Sequence, residues 1–339
     1  MDLADLTTLR LGGPARRHVV ADSESTLVDA IQVADAAGEP VLLVAGGSNL
    51  VVADVGFDGT VVQVTSHGID VDADMCSGAM VTVAAGEPWD AFVEHAVQEG
   101  WVGIEALSGI PGSVGATPIQ NVGAYGQEVA DSIATVRVYD RRERAVRTLA
   151  AADCGFAYRH SRFKAEPNRY VVLTVAFQLR LGDLGAPVAY AELARALAVD
   201  VGERAPLVAV REAVLALRRN KAMVLDAADH DTWSAGSFFT NPMLSREQAD
   251  ALPAEAPRFT QSDGTVKTSA AWLIDQAGFA KGHRAGPVGL STRHVLALTN
   301  RGGATTSDLL DLARQVRAGV ETAYGIVLEN EPVLVGCSL

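Results

Sequence analysis

Between Ala106 and Gln127 the chain runs for 22 residues without a charge. A stretch of that length could cross a bilayer. It holds five Gly, two Pro, two Ser, two Gln and an Asn, however, and a main chain so interrupted cannot meet its own hydrogen bonds as a membrane helix. Glycines recur at every third position in Gly109-Ile110-Pro111-Gly112-Ser113-Val114-Gly115, and Asn121, Gly123 and Gly126 follow. Bared backbone must find partners somewhere. Loops this long without regular structure are functional or disordered, and an apolar, charge-free loop is a poor candidate for disorder. A planar, hydrogen-bonding cofactor packed against it resolves the problem; a purely structural loop is the alternative.

The flanking pattern is α/β. Leu27, Val28, Ile31 and Ala34 recur at helical spacing between Thr26 and Ala37, with Gly38 as the stop. The β-branched runs 41–44 and 61–64 read as strands, as do Leu50-Val51-Val52, 80–84, Ile133 to Asp140 and Tyr170 to Leu179. Pro88 to Gln98 reads as a helix with Pro near its start and Gly100 beyond its end. Gly182 to Pro187 is linker-like. Beyond it lie helices over 206–219 and 307–324 and strands over 237–240, 294–299 and 333–335. With 339 residues, about two domains are expected, three at most.

Lys and Arg number 28 and Asp and Glu 41, a net charge of −13. That excludes a general binder of nucleic acid or anionic membrane, both of which need a basic face, but not a local pocket for a small anion. Three separated cysteines, Cys76, Cys154 and Cys337, give neither a disulfide framework nor a C-x-x-C, which suits a reducing cytosol. The acidic start Met1-Asp2-Leu3-Ala4-Asp5 is no signal peptide, so a cytoplasmic location is expected. Seven scattered histidines assign no metal, and no P-loop motif is present. Asp70, Asp72 and Asp74 read as a solvated face.

Four further segments can carry chemistry. Gly46-Gly47-Ser48-Asn49 lies between two strands, where adjacent glycines can present amides as an anion nest; taken alone it reads better as a tight turn. Residues 137–169 hold nine Lys or Arg against four Asp or Glu, a local basic patch that suggests an anionic ligand. Within it lies Tyr158-Arg159-His160-Ser161-Arg162-Phe163-Lys164, whereas Arg141, Arg142 and Arg144 read as a solvated hairpin. Gly236-Ser237-Phe238-Phe239-Thr240-Asn241-Pro242 sets a serine against two aromatics, equally a strand start. Glu331 borders the apolar run 333–335, where a surface carboxylate is the plainer reading.

Together and in this order, these segments resemble the flavin-dependent UDP-N-acetylenolpyruvoylglucosamine reductases (MurB). The likeness runs from Thr8-Leu9-Arg10-Leu11-Gly12-Gly13-Pro14-Ala15 through 46–50, 109–128, 158–164, 235–242 and Ala271-Trp272-Leu273-Ile274-Asp275-Gln276 to 331–336. Ile110 to Tyr125 is its most specific part. The resemblance implies an α+β fold: a two-subdomain FAD-binding module of the vanillyl-alcohol-oxidase (PCMH-like) kind plus a C-terminal α/β substrate domain. The expected divisions are 1–65 and 66–204 for the two subdomains (the module overall about 12–182, then a Tyr190 loop) and 205–339 for the substrate domain.

It also implies that FAD, held non-covalently, is bound by Gly46, Gly47, Ser48, Asn49, Leu50, Ile110, Gly112, Ser113, Gly115, Asn121, Gly123, Ala124 and Tyr125. Val188-Ala189-Tyr190-Ala191-Glu192-Leu193 looks like the type I subgroup's loop, which would lay Tyr190 over a UDP-sugar. Lys221, Asn241 and Gln276 match positions for the nucleotide diphosphate, and Tyr158 would lie at the substrate and nicotinamide site. The implied reaction is ping-pong-like: NADPH reduces FAD, flavin N5 gives hydride to the enolpyruvyl ether of UDP-N-acetylglucosamine, and UDP-N-acetylmuramate is formed for peptidoglycan. Arg159 and Glu331, the latter taken as protonated, would stabilise the enolate-like charge, and Ser237 would supply the proton as general acid. Many relatives carry Glu-Val-Arg near the end where this chain has Glu331-Pro332-Val333, so the arginine is replaced by Val333; Glu329 competes for the carboxylate role. The partners expected are the two small-molecule substrates, with no nucleic acid, membrane or obligate protein partner. A vanillyl-alcohol-type oxidase and a non-catalytic sugar-nucleotide binder are the competing readings.

Overall fold

Ser23 opens the first helix, Glu24–Ala36: its hydroxyl accepts from the Thr26 amide, and Leu27, Ile31 and Ala34 are buried along one face. Gly38, at φ +66°, ends it. The chain returns as strand Val41–Val44, parallel to Phe57–Val64 with Val41 opposite Thr60; Ala15–Ala21 completes this three-stranded sheet. The computed structural model describes residues 1–74, 76–261 and 263–339. Its mixed helices, antiparallel and parallel strands bear out the α+β expectation.

Backbone contacts divide the chain into two compact units, neither continuous in sequence. The larger comprises Arg16–Gly46 and Asp58–Arg219; the smaller comprises Met1–Ala15, Gly47–Phe57 and Asn220–Leu339.

In the larger unit a second sheet runs in the order Ala145–Ala150, Ile133–Asp140, Tyr170–Leu181, Gly78–Ala84, Ile69–Asp74, antiparallel throughout. Alternation buries Ala79, Val81 and Val83 on one face. Helix Trp89–Gln98 lies on that face, with the Trp89 and Phe92 rings 6.0 and 5.2 Å from Phe177. Each such buried aromatic contributes roughly 1.5–3 kcal/mol. Asp70, Asp72 and Asp74 are exposed on the edge strand, as a solvated face should be.

The basic stretch differs from expectation. Arg137 pairs with Glu24, Arg141 with Asp35 and Arg169 with Asp140, so much of the positive charge is met by carboxylates of the same unit rather than left for an anionic ligand. Arg142 and Arg144 are exposed as the hairpin reading requires, but Arg141 is a half-buried tie to the first helix. The stretch 182–187 is likewise bound in place, by Gly182 N to Gly100 O, Gly185 N to Ala205 O and Ala186 N to the Glu105 carboxylate. Helix Leu207–Asn220, read from sequence as the opening of the C-terminal domain, packs through Val210 and Val214 against Ala106, Val188, Leu193 and Ala205.

In the smaller unit Leu50–Val52 pairs in parallel with Val333–Val335. This pairing draws residues 47–57 to the C-terminal half of the chain, although sequence position groups them with 1–65. Helix Thr306–Tyr324 carries a capping box between Thr305 and Asp308 and ends at Gly325, φ +66°. Its Leu309, Leu312 and Val316 share a core with Leu9, Leu11, Val51, Phe238, Phe239 and Leu273. Two expected strands differ. Residues 237–240 form an extended loop with one bridge, Phe239 to Asn330, and of the run 294–299 only Leu298 and Thr299 are strand, within Leu298–Asn300. The amides of this stretch are used in a turn, His294 N to Ser291 Oγ and Ala297 N to His294 O, instead of a ladder.

Candidate active site

In the larger unit the glycine-rich segment is laid against residues 85–90. Trp89 N donates to Gly112 O, Val114 N to Glu87 O and Gly115 N to Ala85 O. A Cβ on Gly115 would meet the Ala85 Cβ at 2.5 Å, so only glycine permits that approach. Asp90 fixes the entry: its carboxylate accepts from Gly109 N at 2.5 Å and from both Arg211 terminal nitrogens at 2.6 and 3.1 Å. Burial pushes the Asp90 carboxyl up, but the Arg211 bonds and the Gly109 amide outweigh it and hold the group below its ordinary range. Buried Glu105 accepts from Gly103 N, Gln127 Nε2 and Ala186 N, tying the far end of the segment to the stretch that leads to Tyr190. Asp90, Arg211 and Glu105 carry no motif signal and are missed in the sequence.

Gly46 comes so close to Gly112 that a Cβ there would lie 2.6 Å from the Gly112 Cα. Among the described residues the amides of Gly46, Gly112 and Ser113 donate to no acceptor. The Ser113 hydroxyl is buried and also lacks a partner. Bare amides beside a buried hydroxyl form a nest for anionic oxygens, and glycine at both 46 and 112 leaves its backbone open. These donors fit the diphosphate of a dinucleotide such as FAD. Short pieces interrupt the rest of the segment: a helical turn Thr117–Gln120 and a two-residue hairpin, Gly123–Ala124 with Gln127–Glu128.

Arg159 is held by this same segment. Its Nη2 donates to Gly123 O at 3.0 Å and its Nη1 to Asn121 O at 3.4 Å, while Lys164 Nζ donates to Arg159 O at 3.0 Å. Arg159, Asn121 and Tyr125 all have left-handed backbones, φ +51°, +45° and +50°. Such conformations cost about 1–3 kcal/mol each and persist where the surroundings enforce them. The Asn121 side chain donates to Glu128 and to Ala157 O, coupling the loop to the turn that bears Arg159. The Arg159 guanidinium lies over the exposed Tyr158 ring, 5.4 Å from its centroid. Tyr190 is half exposed and meets Tyr125 edge-on at 5.7 Å. Burial pushes the Tyr125 hydroxyl up.

In the smaller unit Ser237 follows Gly236, φ +75°, on the loop fixed by Phe238 N to Leu296 O and Glu331 N to Phe238 O, both 2.8 Å. This places half-buried Glu331 one residue from the serine in the pairing, while Glu329 is exposed. The Ser237 hydroxyl is 3.3 Å from Nε2 of His294, a residue that sequence spacing does not reveal. The turn bearing His294 is organised by buried Asp231, which accepts from Ser291 Oγ, Thr292 N and Thr292 Oγ1 and pairs with Arg301 at 2.7 Å. Asn241 accepts from Ala270 N, opening the helix Ala270–Gln276, whose last residue, Gln276, is exposed. Lys221 follows the helix Leu207–Asn220, and Gly47, Ser48, Asn49 and Leu50 lead into the strand paired with 333–335. Val333 is half exposed.

Residues 15–149 match the family model described as FAD binding domain. With the amide nest and the α+β fold, this defines an FAD-binding oxidoreductase. Residues 227–335 match the model for the UDP-N-acetylenolpyruvoylglucosamine reductase C-terminal domain. The chain is 57% identical over 340 residues to a UDP-N-acetylenolpyruvoylglucosamine reductase of Cutibacterium acnes, covering 99% of this chain and 90% of the relative. It is 56% identical over 348 residues to that of Streptomyces coelicolor, covering 99% and 90%. The crystal structure of the Thermus caldophilus UDP-N-acetylenolpyruvylglucosamine reductase superposes with a TM-score of 0.68 at 26% identity, covering 99% of this chain and 97% of that one. The chain belongs to the UDP-N-acetylenolpyruvoylglucosamine reductase family.

Proposed function

We propose that this protein reduces the enolpyruvyl ether of UDP-N-acetylglucosamine to UDP-N-acetylmuramate, with FAD bound non-covalently and NADPH as the electron source. The near-full-length likeness to enzymes of that name carries the proposal; the amide nest and the Ser237 loop support it. When bound, FAD supplies the hydride-transfer chemistry between NADPH and the enolpyruvyl double bond. Gly46, Gly112 and Ser113 would hold its diphosphate through main-chain donors and the buried hydroxyl, with Gly47, Ser48, Asn49, Leu50, Ile110, Gly115, Asn121, Gly123, Ala124 and Tyr125 completing the cofactor set.

Arg159, fixed by two loop carbonyls, presents a planar cation that stabilises the carboxylate and the charge developing next to it. Glu331, protonated, donates to the same charge. Ser237 Oγ gives a proton to the carbanion-like carbon; a hydroxyl is a weak acid, and this transfer runs because that carbon is far more basic. Tyr190, Lys221, Asn241 and Gln276 bind the sugar nucleotide in the type I manner, and Tyr158 lies with the substrate and nicotinamide.

Anaerobic titration tests the whole proposal. NADPH should bleach the flavin absorbance, the enolpyruvyl sugar nucleotide should restore it, and the product should gain two hydrogens. Rapid recovery in air without substrate would instead indicate an oxidase, and a colourless protein that takes up no FAD a non-catalytic binder.

A further inference from the structure

Ser237 faces a difficulty when it acts as an acid: its oxygen is left negative in a half-buried loop, and an unpaired charge there is costly. The group within hydrogen-bond reach is the imidazole of His294, Nε2 to Oγ 3.3 Å. We infer that His294 is a positioning residue for Ser237, orienting its hydroxyl and returning the proton that it loses; this rests on the reaction proposed above. The turn that carries the ring is built by specific bonds. His294 N donates to Ser291 Oγ, Ser291 Oγ donates to Asp231, and Asp231 is itself buried, receives two bonds from Thr292 and is paired with Arg301. Arg293, the neighbour of His294 on this turn, pairs with both Asp229 and Asp231. On the other side Phe238 is clamped between Leu296 O and Glu331 N, which fixes the height of Ser237 against the ring.

The proton balance is simple. The Ser237 O–H bond breaks as the substrate C–H bond forms. The electron pair left on Oγ takes the proton carried at Nε2 of the imidazolium, and the neutral imidazole regains a proton from water. No electrons are exchanged in these steps, so no further oxidant or reductant is required.

The test separates the two half-reactions in anaerobic stopped-flow with wild type, Ser237→Ala, His294→Phe and His294→Gln. Bleaching by NADPH, which needs no proton from Ser237, is the reference step, and each variant is read by the ratio of its recovery rate to its bleaching rate. Recovery driven by the enolpyruvyl sugar nucleotide should slow by about tenfold or more in His294→Phe and be only partly rescued in His294→Gln, whose amide can orient the hydroxyl but has no acidic proton to return. In the substrate-free protein the ¹⁵N resonance of His294 Nε2 should move on Ser237→Ala. Wild-type recovery in His294→Phe would overturn the inference. So would glutamine that is as fast as wild type, or a resonance that stays still. A wild-type protein that the substrate does not reoxidise would remove the underlying reaction instead, while the resonance still tests the Ser237–His294 pair.

Discussion

The Cα of Gly112 lies 2.6 Å from where a Cβ on Gly46 would stand. Two loops more than sixty residues apart in sequence therefore meet main chain to main chain, and among the described residues the amides of Gly46, Gly112 and Ser113 find no acceptor. Gly46→Ala must push them apart. Overpacking of this kind costs about 1–3 kcal/mol, which read as affinity is about five- to 150-fold. The expected outcome is purified protein with little flavin and a weakened FAD dissociation constant by fluorescence quenching, while far-UV circular dichroism is unchanged because the contact touches neither core. Undiminished FAD affinity would remove Gly46 from the cofactor site.

Arg159 is tied to the glycine-rich segment through its side chain and to Lys164 through its carbonyl. Its guanidinium bridges Gly123 O and Asn121 O, and Lys164 grips its own carbonyl. Arg159→Lys keeps the charge but cannot reproduce a planar fork across two carbonyls. Flavin content should be preserved and kcat/KM should fall by about 10²–10³-fold, the scale of losing one oriented electrostatic donor. Lys164→Met, which only loosens the left-handed turn, should cost less, about tenfold in kcat with flavin retained. Steady-state kinetics on flavin-saturated protein measure both; equal effects of the two substitutions would argue that the turn, not the guanidinium, matters.

Much of this was legible in the sequence because it is local. Runs such as Val41–Val44, Ile133–Asp140 and Val333–Val335 are strands as their β-branched residues require, and the glycine spacing at 109, 112 and 115 marks a backbone that must approach something closely. What was not legible is what depends on partners far along the chain. The parallel pairing of Leu50–Val52 with Val333–Val335 has no local signature, so the sequence could not show that 47–57 joins the C-terminal half. Arg137 counts toward a ligand patch, and Arg141 reads as part of a solvated hairpin, until Glu24 and Asp35, more than a hundred residues earlier, are seen to pair with them. His294 is 57 residues from Ser237 at no diagnostic spacing, and only the turn built on Asp231 brings the two together.

In the proposed reaction Ser237 and Glu331 both serve the second half-reaction. Ser237→Ala should leave NADPH-driven bleaching intact and slow recovery by substrate by about 10²–10⁴-fold, the usual scale for a lost general acid. Glu331→Gln keeps a donor of similar shape and should slow the same step less than Glu331→Ala does, whereas Glu329→Ala, at an exposed position, should behave as wild type. Rapid-mixing traces of the second half-reaction check all four. A slow Glu329→Ala beside a normal Glu331→Ala would exchange the two assignments.

Asp231 links stability to pH. Burial alone would raise its pKa, but hydrogen bonds from Thr292 and Ser291 and the charge of Arg301 prevail, so the folded-state value lies below the ordinary one. A carboxyl depressed on folding stabilises the protein at every pH above its unfolded value, about 3.9, and that contribution disappears as pH falls through the lower folded value. Asp231→Asn leaves Arg301 and two hydroxyl donors facing a neutral amide in a buried place. Breaking such a pair costs about 3–5 kcal/mol, so the melting temperature at pH 7 should drop clearly. The gap between wild type and variant should then narrow as the pH is taken below about 4, where the unfolded wild-type chain takes up the proton before its folded form does. Thermal denaturation of both proteins between neutral and acid pH measures this directly. A gap that is constant with pH would mean that Asp231 acts through shape rather than charge, and with it the account of why the turn bearing His294 stays in place would have to change.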